Sequence, residues 1–226
     1  MKHVVGVSLG SSQRDHAVVV NLMGEECKIE RFGTDGDMER MIALIQEYDG
    51  KADAFGLGGI DLYVSAVDKR YVLRDARKII RAAKLTPIVD GSGLKHTLER
   101  RVIEYLVNHT EIFKERRKVL LTCAMDRLGM AQALFKAGCD VTLGDFLYIL
   151  NVPLPLKSLT SLARLARVVA PIVVQLPFSM IYPTGEQQGK NKPRQTKYFL
   201  ENEIIAGDFH FIRSEERRVG KECRSR

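Results

Sequence analysis

The residues best able to do chemistry lie in one stretch, RKVLLTCAMDRLGMAQALFKAGCDVTLGD, residues 117–145. Cys123, Asp126, Arg127 and Gly129 fall in a turn between the apolar run Val119 to Leu121 and a segment of helical period, and Asp145 comes 22 residues after Cys123. In a dinucleotide-binding βαβ unit such a turn brings backbone N–H groups and a helix N-terminus up to a pyrophosphate, and an acid about 20 residues on bonds the ribose. Of the three glycines expected in that turn only Gly129 is present, Asp126 brings a negative charge beside the phosphate, and Arg127 can offset it. Asp145 favours NAD over NADP, because a carboxylate repels a 2′-phosphate. The same pattern suits a βαβ unit in a doubly wound sheet that holds no nucleotide, so both readings stay open.

Two further clusters carry chemistry. Asp90 ends a short strand and Lys95 opens the next helix, the position where open α/β sheets bind ligands, and a lysine beside a carboxylate can act as a proton-transfer pair on a hydroxyl carbon. Asp90 can equally be a helix cap. The loop after the first strand contains Ser11, Ser12 and Arg14, and the loop after a later strand contains Gly59 and Asp61. Hydroxyls, a guanidinium and a glycine pair suit an anionic or polyol substrate, while in the structural alternative the serines only satisfy local backbone groups. Cys27, Cys123, Cys139 and Cys223 show no CxxC spacing and no companion histidine pattern, so neither a metal site nor a disulfide framework is expected.

These residues need elements to position them. A β-rich start, residues 3–9, precedes a hairpin over 16–22 and 26–32, and Asp35 or Asp37 can cap a helix striped by Met38, Met41, Ile42 and Ile45. Strands are predicted at 52–57, 86–89, 119–121, 140–143, 172–176 and 204–207, and Leu94, Leu98, Val102, Tyr105 and Leu106 mark the apolar face of a long helix. Residues 184–197 read as a polar loop, and His210 follows the acid Asp208. The fold class is α/β: an N-terminal mixed α/β domain with a β-hairpin, residues 1–114, then a truncated Rossmann-like parallel-sheet domain, residues 115–212.

Composition narrows the function classes. With 226 residues, 45% hydrophobic, the chain can bury a sizeable core. No apolar run reaches the ~18 residues of a membrane span, and the start reads as a strand rather than a signal peptide, so a cytoplasmic protein with no membrane partner is expected. The last fourteen residues, RSEERRVGKECRSR, hold six Lys/Arg against three Glu, a net +3, which leaves 7 − 3 = +4 on residues 1–212. That balance, without interleaved aromatics, is an ordinary surface, and no nucleic-acid partner is expected. Residues 213–226 resemble the translation of a sequencing adapter fused to a shortened reading frame, so they are expected to be an exposed, non-native tail.

The segments GVSLGSSQRDH, GTDGD, GLGGIDLYVSA, TPIVDGSGLKHTLERRVIEYL, CAMDRLGMA and IIAGDFHFI together resemble a bacterial family identified as quinate 5-dehydrogenase, over residues 1–212. The resemblance implies NAD(P)-linked oxidation of a secondary alcohol on a cyclic polyol acid. It also implies that relatives continue past the position of Ile212, which would leave Val119 to Leu121, residues 172–176 and residues 209–212 partly uncovered. The Asn-Val-Thr-x-Pro-x-Lys and Asn-Thr-Asp motifs of the shikimate and quinate dehydrogenases are absent, so their catalytic residues do not carry over. The sequence therefore supports an NAD(P)-dependent oxidoreductase with a small-molecule substrate, or a non-catalytic α/β protein that senses a metabolite or nucleotide. A homodimer is compatible with either.

Overall fold

The computed structural model describes residues 1–66, 69–178, 195–209 and 211–212. The chain forms two compact units: Met1–Val64, Tyr71–Ser92 and Ala170–Lys190 make the first, and Ser65–Arg70, Gly93–Val169 and Asn191–Arg226 the second. The change of unit at Ser92 comes earlier than the expected boundary at 114. The long helix after Ser92 belongs to the second unit because Ile103, Leu106 and Val107 pack into that unit's core.

In the first unit a mixed sheet has the order β2-β3-β1-β4-β7, from β1 (Lys2–Ser8), β2 (His16–Leu22), β3 (Glu25–Gly33), β4 (Ala54–Gly58) and β7 (Ile88–Val89). β1 runs parallel to β3 and β4, β4 parallel to β7, and edge strand β2 pairs antiparallel with β3. The hairpin turn is two residues, Met23 and Gly24, both at positive φ (55° and 85°), the geometry that matches the twist of the flanking strands. Asp37 caps α1 (Met38–Tyr48) by accepting the N–H groups of Glu39 and Arg40. Met41 and Ile45 of α1 then pack on Val5, Val7 and Phe55 of the sheet, together with Ile79 of α2 (Ala76–Ala82). Between β4 and α2, β5 (Tyr63–Ala66) and β6 (Lys69–Val72) form a two-stranded sheet.

The second unit is built on a three-stranded parallel sheet, order β10-β8-β9, from β8 (Lys118–Leu121), β9 (Asp140–Leu143) and β10 (Ile204–Ala206). α3 (Ser92–His109) precedes β8, and α4 (Leu128–Lys136) connects β8 to β9. Gly138, at φ +78°, ends α4: its N–H bonds Phe135 O and the next N–H, of Cys139, bonds Leu134 O, which closes the last helical turn. The parallel sheet anticipated from the sequence is therefore present, and the protein is of the α/β class with a partial Rossmann-like arrangement.

Three expectations change. Val119, Leu120 and Leu121 are fully buried, not uncovered. Val119 and Leu121 enter a core with Ala131, Leu134 and Leu162, while on the opposite face Leu120 meets Leu147, Tyr148, Tyr198, Phe199 and Phe211. Each large side chain so buried contributes about 1.5–3 kcal/mol. Residues 172–176 do not form a strand: α6 (Leu159–Val173) continues through Pro171, with Leu162, Ala166, Ala170 and Val174 buried at helical spacing and Ile172 66% exposed. On α3 the stripe Leu94, Leu98, Val102 and Tyr105 points outward and Ile103 inward, because the helix has two apolar faces and only one meets the sheet. His210, the tail 213–226 and most of the loop 184–197 lie outside the described residues.

Candidate functional site

The C-terminal ends of β8, β9 and β10 bring together the turn at 122–127, Asp145 and Asp208, and α3 adds Lys95 and Glu99. Asp145 is the centre of this edge. It follows Gly144 and opens α5 (Asp145–Tyr148), and it is 3% exposed. Its Oδ1 accepts the N–H of Met125 at 2.8 Å and its Oδ2 that of Ala124 at 3.0 Å. Burial pushes this carboxyl up to about 6 despite those N–H groups, which favour the ionised form. The acid expected to bond a ribose thus bonds the turn expected to hold a phosphate.

The other turn residues are equally committed. Cys123 is buried, and burial, with the nearby Asp126 and Asp145 carboxylates adding, pushes its thiol up to about 12, so it is an inert neutral group. Gly129 is needed for close packing: a Cβ there would lie 2.5 Å from the carbonyl oxygen of His96 on α3. Its smallness admits a helix rather than a ligand. Arg127 forms ion pairs with Glu99 and, at 3.4 Å, with Asp208, while Asp208 N–H donates to Thr122 Oγ1. Burial raises the Glu99 carboxyl, opposed by Arg127. Among the described residues, Glu99 Oε2 and Arg127 Nε are both buried without a hydrogen-bond partner.

Lys95 does not pair with Asp90. It donates to Asp126 Oδ1 at 2.6 Å, and Lys95 and Asp90 fall in different compact units. Asp90 instead accepts the N–H groups of Leu62 (2.7 Å) and Ser92 (3.0 Å). Burial disfavours its charge, but these bonds hold the carboxyl below the usual carboxylate range. It is a structural acid that ties Leu62 to the start of α3. Of the expected substrate residues of the first unit, Ser11 and Ser12 are engaged by other protein groups. Ser11 Oγ accepts Gln13 N–H, Ser12 N–H donates to Asp35, and Arg31 clamps Ser11 O and Asp15. Arg14 ends a 3-10 turn, Gly59 is at φ +75°, and Asp61 lies between the buried Ile60 and Leu62. The Ser11–Asp15 loop is tied to the end of β3 and the turn that follows it.

Glu99 was not singled out from the sequence, although it lies four residues after Lys95 and so on the same helical face. Asp208 reads from the sequence as an acid ending a strand. Among the described residues, with every group ionised, Lys95 and Arg127 set against Asp126, Glu99, Asp208 and Asp145 give 2 − 4 = −2. Among the described residues no group of three His, Cys, Asp or Glu could hold a metal ion, and no helix is long and apolar enough to cross a membrane.

Two family models match the chain: one described as Domain of unknown function (DUF8753) over residues 3–90, and one described as Domain of unknown function (DUF8754) over residues 93–218. Their junction coincides with the change of compact unit at Ser92, and the second match runs six residues past Ile212, into the segment read from sequence as a non-native tail. No curated protein and no solved structure matches. Neither family description names an activity. Matched over more than half of its length, the chain belongs to the DUF8754 family and has a DUF8753 domain ahead of it.

Proposed function

We propose that the protein is a metabolite-binding, sensing α/β protein whose site is the C-terminal edge of the β10-β8-β9 sheet, and that its ligand is small, polar and neutral or cationic. The observation that carries this reading is the pair of hydrogen bonds from Ala124 and Met125 N–H to Asp145. A phosphate-binding turn works by offering free N–H groups and a positive local field. Here the N–H groups already hold a carboxylate, and the described groups of the cluster, when ionised, sum to −2, which disfavours a pyrophosphate. A neutral polyol or an amine meets instead a mixed set of donors and acceptors from Lys95, Glu99, Asp126, Arg127 and Asp208.

A second reading is favoured by one specific contact. Lys95 and Asp126, 2.6 Å apart and partly buried, form a lysine–carboxylate pair able to take a proton from a hydroxyl. Together with the resemblance to quinate 5-dehydrogenases, that pair supports an NAD(P)-linked oxidation of a cyclic polyol acid. Calorimetric titration of the whole chain with NAD+, NADH, NADP+ and NADPH separates the two. The sensing reading expects no saturable binding tighter than about 1 mM, and melting-temperature shifts with members of a panel of neutral polyols and amines. Saturable nicotinamide binding that is lost in Lys95→Met would overturn it in favour of the dehydrogenase.

A further inference from the structure

We propose that β2 is a dimerisation edge, along which two copies of this chain pair antiparallel about a twofold axis at Val19. β2 (His16–Leu22) is the outer strand of the first unit's sheet, with β3 as its neighbour among the described residues. Its other side is open and unprotected. The seven pairs with β3 run without a bulge, and the strand HAVVVNL contains no proline and no Asp, Glu, Lys or Arg, the devices that usually blunt an edge. None of its residues is buried, and Val18, Val19 and Leu22 are 41%, 56% and 51% exposed. These side chains favour a strand but contribute little to the unit's core.

The hairpin fixes which backbone groups point outward. Across the two-residue turn Met23-Gly24, Leu22 and Glu25 form a hydrogen-bonded pair, and such pairs alternate along an antiparallel ladder. Val20, Val18 and His16 therefore bond β3, and the N–H and C=O groups of Ala17, Val19 and Asn21 point away from it. A second β2, antiparallel and centred on Val19, matches that spacing. Val19 then faces the partner's Val19 and Ala17 faces the partner's Asn21, so every outward residue exchanges N–H···O bonds. Between them Val18 faces the partner's Val20, an apolar pair on the face shared with Ile29 and Cys27. The ends agree in charge as well. Arg14 comes opposite the partner's Gly24, beside the hairpin's Glu25 and Glu26, and all three charged residues are exposed. Register, side chains and charge are thus self-complementary, which favours a second copy over an unrelated strand. At ~3.4 Å per residue such an edge is ~24 Å long. Its contact falls below about 1,200 Å2, the range of weak, reversible association. This edge is separate from the site of the proposed function, and the inference does not rest on that reading.

Sedimentation equilibrium of the whole chain tests it, with a reversible monomer–dimer equilibrium expected at about 1–100 μM. Because Val19 meets its own copy on the axis, Val19→Lys and Val19→Glu should each weaken the dimer at least tenfold by setting like charges opposite one another. An equimolar mixture of the two variants should recover a dimer at least as tight as the wild type, which no structural damage to the separate variants would produce. Val19→Pro removes only an outward N–H, a change that edge strands tolerate, and should give a monomer with the wild-type melting temperature. If that variant does not fold, the charged pair decides alone. A wild-type chain that stays monomeric up to about 1 mM would leave the edge to a different protein and overturn the proposal. So would open-ended association, folded charged variants that dimerise as the wild type does, or a mixture that stays monomeric.

Discussion

Replacing Asp145 by Asn tests the centre of the second unit, because it removes a buried charge while keeping the shape. The Asp145 carboxyl rises from an ordinary 3.8 to about 6 on folding, driven first by burial. For a group whose folded value is raised, the stabilising contribution is complete below the unfolded value and is lost as pH rises through the folded one. The window here runs from about pH 4 to pH 6. At about 1.4 kcal/mol per unit, ionising Asp145 in place costs the folded state roughly 3 kcal/mol at pH 8. About half of that is already present at pH 5, so 1–2 kcal/mol is lost between the two. Asn at 145 has no such titration. It also turns an amide donor towards the N–H of Ala124 or Met125, a mismatch of about 1–3 kcal/mol, but that offset does not change with pH. Urea denaturation of wild type and Asp145→Asn at pH 5 and pH 8 reads the difference directly. The variant should gain about 1–2 kcal/mol on the wild type as pH rises, with other groups cancelling. Parallel profiles, or a gain in the opposite direction, would refute a carboxylate held as a buried anion in the turn.

Gly129→Ala places a Cβ 2.5 Å from His96 O, backbone that cannot swing aside, and should cost about 1–3 kcal/mol by chemical denaturation. A neutral effect would show that α3 and α4 are not in close contact there. Arg127→Gln should destabilise by about 2–3 kcal/mol by leaving the partly buried Glu99 unpaired, and Glu99→Gln in the same chain should recover part of that loss, a coupling read by a double-mutant cycle. Additive losses would mean that the ion pair contributes nothing. Cys123, with its thiol pushed up to about 12, should resist iodoacetamide at pH 8 in the folded protein and react after unfolding, as peptide mapping would show.

Much of the scaffold was legible because it follows from local periodicity. The VLL run, the helical spacing of Leu128, Ala131 and Leu134, and Gly138 at the helix end suffice to indicate a βαβ unit, and the structure contains it. Asp37 before the Met38 stripe carries comparable local information, and the hairpin is present although its strand β2 is almost wholly exposed. Residues 172–176 failed because a short apolar run fits a strand and a buried helix equally well. The choice was made by Leu162, Ala166 and Ala170, up to a dozen positions earlier, which extend the helical period across Pro171. The α3 stripe failed for a related reason: periodicity shows that a face is apolar but not that it meets a core.

The site divides along the same line. Sequence by itself determined which chemical groups gather at the strand ends, because β8, β9 and β10 each stop just before a polar residue: Thr122, Asp145 after one glycine, and Asp208 after another. Which partner each group takes was decided only by the tertiary structure. Lys95 pairs with Asp126 rather than Asp90, Arg127 with Glu99 and Asp208, and Asp145 with the N–H groups of residues 124 and 125. These partners are separated by 20 to 81 residues along the chain. An ion pair or hydrogen bond depends on distance in space to within an ångström, and spacing along the chain does not specify that distance until the sheet and α3 have packed.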